Sequence, residues 1–292
     1  MQSPISQTPV VLVVGSLHYD IMVAAPGLPQ WDETLQGQSW QPKFGGKGGN
    51  QAVAVARAGM ACRMLGALGE DAFAPFLRDG LRAGGVDDRF IATIPDIGSG
   101  ISVAICGPSG DYAAVIVSGA NLAIDPAELK DPALWDGVQV LVLQNEVTQA
   151  LNLAAATEAN LRGICVVVNA APARQMAAEF ADLVDVLVVN AVEADMLGAG
   201  LVTDLPSASR AAEALSRRCR NVIVTAGANG LALRTAAGSD FSLMAKPVKV
   251  KSSHGAGDAF IGALVAAVAR GGDLQTACIA ANDAAADHVA GR

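Results

Sequence analysis

The sequence predicts an α/β protein with a mostly parallel central sheet flanked by helices, and three observations carry that prediction. Short β-branched runs recur at 10–14, 138–143, 164–168, 184–189 and 222–224, each apolar on both faces and bounded by Gly, Asn or Asp. That is the pattern of parallel strands covered on both sides. Between them lie Ala-rich stretches with helical spacing at 50–58, 148–161, 207–218 and 258–269, and the alternation implies βαβ units. The third is composition: 52% hydrophobic and 16% charged side chains over 292 residues support a sizeable core and exclude disorder.

Two stretches break the rhythm. Residues 16–44 carry Pro26, Pro29, Pro42, Tyr19, Trp31 and Trp40 with no helical period. Residues 99–117 alternate, with Ile101, Val103 and Ile105 on one face, then Gly107-Pro108-Ser109-Gly110-Asp111 as a turn before a second run; this predicts a hairpin. Together they read either as a small β lid over a crevice at the strand ends or as decoration of a sheet edge. No repeat, low-complexity tract or flexible linker divides the chain, so a single unit over residues 1–292 is expected, with the lid inside it.

Charge and cysteine usage narrow the class. A net charge of −8 and a pI near 4.8 argue against a broadly basic nucleic-acid surface. No apolar run approaches the roughly 18 residues that span a bilayer. Residues 1–6 have no basic segment of the kind that opens a signal peptide, so a cytoplasmic protein is expected. The 5 cysteines are scattered with no C-x-x-C pair, and the 3 histidines form no metal-binding helix; small hydrophobes in a reducing compartment are the simplest reading.

Three segments have the residue types that chemistry needs. Ser252-Ser253-His254-Gly255-Ala256-Gly257-Asp258 opens an apolar helix. Its unpaired N–H groups and helix dipole suit a phosphate. Asp258, in the first turn, either complements the dipole or accepts a proton from an attacking hydroxyl. Gly45-Gly46-Lys47-Gly48-Gly49-Asn50 allows close backbone approach to a ligand, with Asn50 capping the helix or bonding a hydroxyl; it fits neither a P-loop nor a dinucleotide fingerprint. Asp20 stands just beyond the first strand, as a turn former or as an acceptor for two sugar hydroxyls.

These segments, in this order, resemble the PfkB carbohydrate kinase family, and most closely its ribokinase branch. Phe44-Gly45-Gly46-Lys47-Gly48-Gly49-Asn50-Gln51 and Gly255-Ala256-Gly257-Asp258-Ala259-Phe260 carry most of the likeness. Ser118-Gly119-Ala120-Asn121, Leu143-Gln144-Asn145-Glu146, Asn169-Ala170-Ala171-Pro172, Asn190-Ala191-Val192-Glu193 and Val224-Thr225-Ala226-Gly227 follow the family's order between them. The resemblance implies a ribokinase-like fold with a β lid and ATP-dependent phosphorylation of a sugar hydroxyl. It implies Asp258 as catalytic base with Gly255, Ala256 and Gly257 as the anion hole, and His18, Asp20, Gly46, Lys47, Asn50 and Glu146 on the substrate side. Asn190, Thr225, Gly227 and Asn282 fall at nucleotide-side positions, and Glu193 at the position that holds Mg²⁺ through water.

Departures from the family pattern bear on specificity. His18 stands where ribokinases usually carry Asn, which puts ribose itself in question. Ser252 replaces an Asp of the family's monovalent-cation site, and the sequence stops at Arg292 before the tail that supplies further ligands, so weak or absent potassium activation is expected. The alternatives are a nucleoside kinase of the same family, with Tyr19, Trp31 or Trp40 stacking on a base, and a non-catalytic sugar-binding regulator, against which the retained Asp258 argues. The expected partner is a small sugar or nucleoside, with no nucleic acid and no membrane, and the resemblance implies a homodimer through the lid, where the hairpin leaves a free edge.

Overall fold

The computed structural model describes residues 9–108 and 112–292; the tip of the predicted turn at Ser109, Gly110 and Asp111, and the residues before Thr8 and Thr8 itself, lie outside them. Strand β1 (Val10–Val14) leads into β2 (His18–Ala24) and β3 (Ser39–Gly45), followed by α1 (Lys47–Arg57), β4 (Ala61–Gly69), α2 (Ala74–Ala83) and β5 (Val86–Ile94). A hairpin comes next, β6 (Gly100–Cys106) and β7 (Tyr112–Val117). Then follow β8 (Val138–Gln144), α3 (Gln149–Leu161), β9 (Cys165–Asn169), α4 (Ala178–Ala181), β10 (Val186–Asn190), α5 (Ala191–Met196), α6 (Leu205–Leu215) and β11 (Asn221–Thr225). The chain closes with β12 (Leu231–Arg234), β13 (Asp240–Leu243), α7 (Ala256–Ala269) and α8 (Leu274–Val289).

The main sheet has nine strands in the order β13-β12-β11-β10-β9-β8-β1-β4-β5. It is parallel from β5 to β11 and antiparallel only at β12 and β13. Alternation along β1 shows how both faces are covered: Leu12 and Val14 enter a core with Leu151 of α3 and Ala208 of α6. Val11 and Val13 enter the opposite core with Val55 of α1, Leu264 of α7 and Ala277 of α8. Each such Leu or Val contributes about 1.5–3 kcal/mol by leaving water.

The expected strand at 10–14 matches β1, and the other four predicted runs agree with β8 to β11 within two or three residues at either end. Strands β4, β5, β12 and β13 and helices α2, α4, α5 and α8 were not among the predicted runs. In β4 the apolar run is interrupted by Arg63, a buried guanidinium whose Nη1 donates to Leu134 O at 2.7 Å. Helix α1 starts at Lys47 rather than at 50, and α7 at Ala256 rather than at 258, because Gly46 and Gly255 act as N-caps with φ of +87° and +81°, a conformation that glycine adopts without steric cost. Asn50 therefore lies inside α1 and does not cap it. A Cβ on Gly262 would sit 2.5 Å from the backbone of Ala54, so this glycine lets α7 lie directly on α1 and brings both N-termini to the carboxyl edge of the sheet.

The two stretches that broke the rhythm form one separate sheet in the order β3-β2-β6-β7, in which β2 and β6 pair in parallel and β6 and β7 form the expected hairpin. Its two faces differ. Asp20, Lys43, Ser102, Ala104 and Ala114 face the main sheet, while Ile101, Val103, Ile105, Val115 and Val117 lie on the opposite face by alternation. Val115 and Val117 there are 70% and 54% exposed. Among the described residues no helix is long and apolar enough to cross a membrane.

Candidate active site

A crevice of ≈ 950 Å³ runs between the small sheet and the carboxyl ends of the parallel strands, where the N-termini of α1, α5 and α7 converge. This is the edge at which open α/β sheets bind ligands. At one end, Asp20 of β2 accepts a hydrogen bond from Ser102 Oγ of β6 at 2.5 Å. Glu146, just past β8, accepts from Ser16 Oγ at 2.5 Å and from the N–H of Lys47 at 2.8 Å. His18 is buried, with Nδ1 3.8 Å from Glu146 Oε2 and an Nε2 that has no partner among the described residues. Gly46 lets the chain cross tightly here, since a Cβ would meet His18 N at 2.7 Å and Ser16 O at 2.8 Å.

In the same crevice, α7 begins on Gly255. Among the described residues no acceptor meets the N–H groups of Gly255, Gly257 and Asp258, whereas the N–H of Ala256 donates to Ser253 O at 3.3 Å. The three-residue anion hole predicted from sequence is thus open at Gly255 and Gly257 and closed at Ala256. Asp258 follows at once. Its Oδ1 accepts from Gln51 Nε2 at 3.1 Å. Burial pushes its carboxyl above the ordinary aspartate value, against the opposing pull of Lys47 and of hydrogen bonds from Gln51 and Asn50. Burial likewise raises Asp20, opposed by the Ser102 hydroxyl, and Glu193, opposed by the N–H of Asn190 and the charge of Lys47. Three carboxyls with raised pKa in one crevice mark a place where ionised groups are held out of water.

Asn190 and Glu193 form a reciprocal cap on α5: Asn190 N donates to Glu193 Oε2 at 2.9 Å and Glu193 N to Asn190 Oδ1 at 2.8 Å. Both line the crevice, as does Thr225 at the end of β11. Of the residues predicted from sequence, the crevice collects His18, Asp20, Gly46, Lys47, Asn50, Glu146, Asn190, Glu193, Thr225, Gly255, Gly257 and Asp258. It does not collect Ala256, Gly227 or Asn282. Gly227 is exposed in the turn after β11, and Asn282 Nδ2 donates to Met244 O at 3.1 Å.

Sequence reasoning missed Gln51, whose fully buried amide joins Asp258 to Asn169, with Nε2 3.2 Å from Asn169 Oδ1. The available signal is a lone polar side chain on the buried face of α1, which is otherwise Gly, Ala and Val. Lys43, Ser102 and His254 also line the crevice without having been singled out. The aromatics expected to stack on a base do not reach it. Tyr19 is stacked on Phe73 at 4.5 Å and lies edge-on to Phe76 at 5.0 Å, and Trp31 and Trp40 are 99% and 65% exposed.

The family model for pfkB family carbohydrate kinases matches residues 9–290. The chain belongs to that family. This carbohydrate kinase is 33% identical to the ribokinase of Mus musculus over 258 residues, which cover 87% of this chain and 80% of that protein. It is 31% identical to the deoxyribokinase of Salmonella typhimurium over 272 residues, 91% and 88% of the two chains. Among solved structures, the Arabidopsis thaliana ribokinase complexed with ribose and ATP superposes with a TM-score of 0.88 at 26% identity, covering 97% of this kinase and 93% of that chain.

Proposed function

We propose that this kinase transfers the γ-phosphate of ATP to a primary hydroxyl of a pentose, ketose or related sugar, with Asp258 as the base. The observation that carries the reading is the open N-terminus of α7 beside Asp258, facing Asp20 and Glu146 across one crevice. Asp20, Glu146, Asn50 and His18 orient the sugar, the carboxylates accepting from its hydroxyls. The sugar oxygen attacks the γ-phosphorus, the bond from that phosphorus to the bridging oxygen breaks so that ADP leaves, and the hydroxyl proton passes to Asp258. The N–H groups of Gly255 and Gly257 donate to the phosphoryl oxygens as charge gathers there, and Lys47 adds positive charge.

Glu193 suits Mg²⁺, because its Oε2 is engaged by the Asn190 N–H while Oε1 has no protein donor among the described residues, and a single carboxylate with waters and phosphates is a usual environment for this ion. Mg²⁺ held there would neutralise phosphate charge. Asn190, Thr225, Gly227 and Asn282 serve the nucleotide, the last two from beyond the crevice. Ser252 in place of an acid supports weak or absent activation by potassium, which turnover with K⁺, Na⁺ and ionic-strength controls will test. The apolar outer face of the small sheet supports a homodimer in which two lids meet; light scattering that finds only monomer at micromolar concentration would overturn it. Five unpaired cysteines support a reducing, cytoplasmic setting.

The deciding experiment is a panel of pentoses, ketoses, deoxysugars and nucleosides assayed by coupled ADP release. Turnover of one or more sugars, with nucleosides inert, is expected. Turnover of nucleosides alone would replace the sugar reading, and ligand binding without ADP formation across the panel would favour a regulator.

A further inference from the structure

The open turn ahead of α7 belongs to a long irregular segment. Between the end of β13 at Leu243 and the start of α7 at Ala256 the chain has no helix or strand, so its position depends on the few bonds that tie it down. At its start Asn282 of α8 holds Met244 O and Lys246 pairs with Asp283; nearer α7 the bonds come from the last turn of α8. Val289 O accepts the N–H of Lys251 at 2.7 Å and that of Ser252 at 3.4 Å. His288 Nε2 lies 2.9 Å from His254 O, across 34 residues of sequence. A carbonyl oxygen only accepts, so Nε2 must carry the proton and donate. The imidazole also rests against Gly255, where an added Cβ would come within 3.0 Å of Nε2. Glycine at 255 therefore supplies the left-handed φ and also the space into which His288 reaches.

We propose that His288 is a positioning residue for phosphoryl transfer: by donating to His254 O it holds Gly255 and Gly257 where their N–H groups meet the phosphoryl oxygens. This rests on the reading of residues 255–258 as the phosphate end of the site. His288 is not itself part of the crevice lining and meets it only through His254 and Gly255, so its effect passes through the turn. A displacement of about 1 Å at such donors costs on the order of 100-fold in rate, whereas Asp20, Asn50 and Glu146, which orient the sugar, are held by β2, α1 and the end of β8 and stay in place. The signature is a fall in kcat at constant sugar KM.

The test compares His288→Phe, which keeps a ring and removes the donor, and His288→Ala with His288→Gln, whose amide nitrogen can replace Nε2 as donor. Expected are a roughly 10- to 100-fold loss of kcat in the Phe and Ala variants, sugar KM within about two-fold of the parent, and recovery of most of the loss by Gln at similar melting temperature. Unchanged kcat in the Phe variant, a loss confined to sugar KM, or a Gln variant no better than Phe would each overturn the proposal. Asp258→Asn, assayed alongside, separates the two levels. If it keeps near-normal turnover, the reading of the site is wrong; if it is inactive while His288→Phe is fully active, only the role of His288 falls.

Discussion

Helices α1 and α7 lie against each other and aim their N-termini into the same crevice, yet only one of the two ends is open. Both start on a glycine N-cap with left-handed φ, and neither has a side-chain cap. In α1 the freed donors are taken by the protein: Lys47 N by Glu146, Gly48 N by Ser16 Oγ at 3.4 Å and Gly49 N by Ser16 O at 2.9 Å. In α7, among the described residues, no protein acceptor meets the N–H groups of Gly257 or Asp258. Helices α3, α5, α6 and α8 differ from both, since Thr148, Asn190, Asp204 and Asp273 cap them with their own side chains. A glycine cap thus frees N–H donors without deciding their use. Where a protein carboxylate arrives, the end becomes part of the scaffold; where none arrives, it is left for a ligand's anion.

The sharpest way to break this comparison is Asp258→Asn. Removing the base beside the open end should lower kcat by about 1,000-fold while calorimetry still finds sugar and ATP binding. The same variant tests the electrostatics. Burial raises the Asp258 pKa in the folded state, so the fold favours the neutral carboxyl: its stability contribution is complete below the unfolded pKa and is lost as pH rises through the folded one. Asn should therefore melt higher than the parent at neutral pH, with the gain shrinking as pH falls from the raised value down to the ordinary aspartate range. In the parent, activity should rise with pH through a limb placed above that range, because the base must be ionised.

Next in size are the two glycine caps. Gly46→Ala drives a Cβ into backbone atoms at 2.7–2.8 Å and should cost about 3 kcal/mol of stability, read by urea titration. Gly255→Ala meets only the end of the His288 side chain, so its cost should be about 1–2 kcal/mol, with kcat falling further than stability. The smallest effect belongs to the capped N-terminus of α8, at the opposite end of that helix from His288. Asp273→Ala, which removes the acceptor for Thr276 N, should cost about 1 kcal/mol and leave kcat and KM unchanged.

Much of this was legible in sequence where the signal is local. Residues 10–14 read as a buried strand because five apolar residues stand before a glycine, and 99–117 read as a hairpin because the alternation is interrupted by Gly107-Pro108. The order of the motifs brought Asp20, Asn50, Glu146 and Asp258 into one site. What Gln51 does was not legible, because its partners Asn169 and Asp258, 118 and 207 residues away, are brought to it only by the fold. The role expected of Tyr19 failed for the same kind of reason: nothing near it in sequence indicates that Phe73 and Phe76 occupy its ring.

By itself the sequence determined β1 and β8 to β11, the bodies of α1, α3, α6 and α7, the hairpin of β6 and β7, and the placing of Asp258 in a first turn, because periodicity and helix geometry act over a few residues. Only the tertiary structure decided which helix end stays open. The acceptors that close α1 are Ser16 and Glu146, and Glu146 lies 99 residues from the Lys47 N–H it engages; the donor that steadies the turn of α7 comes from the far end of α8. Both depend on segments that meet only once the sheet has formed.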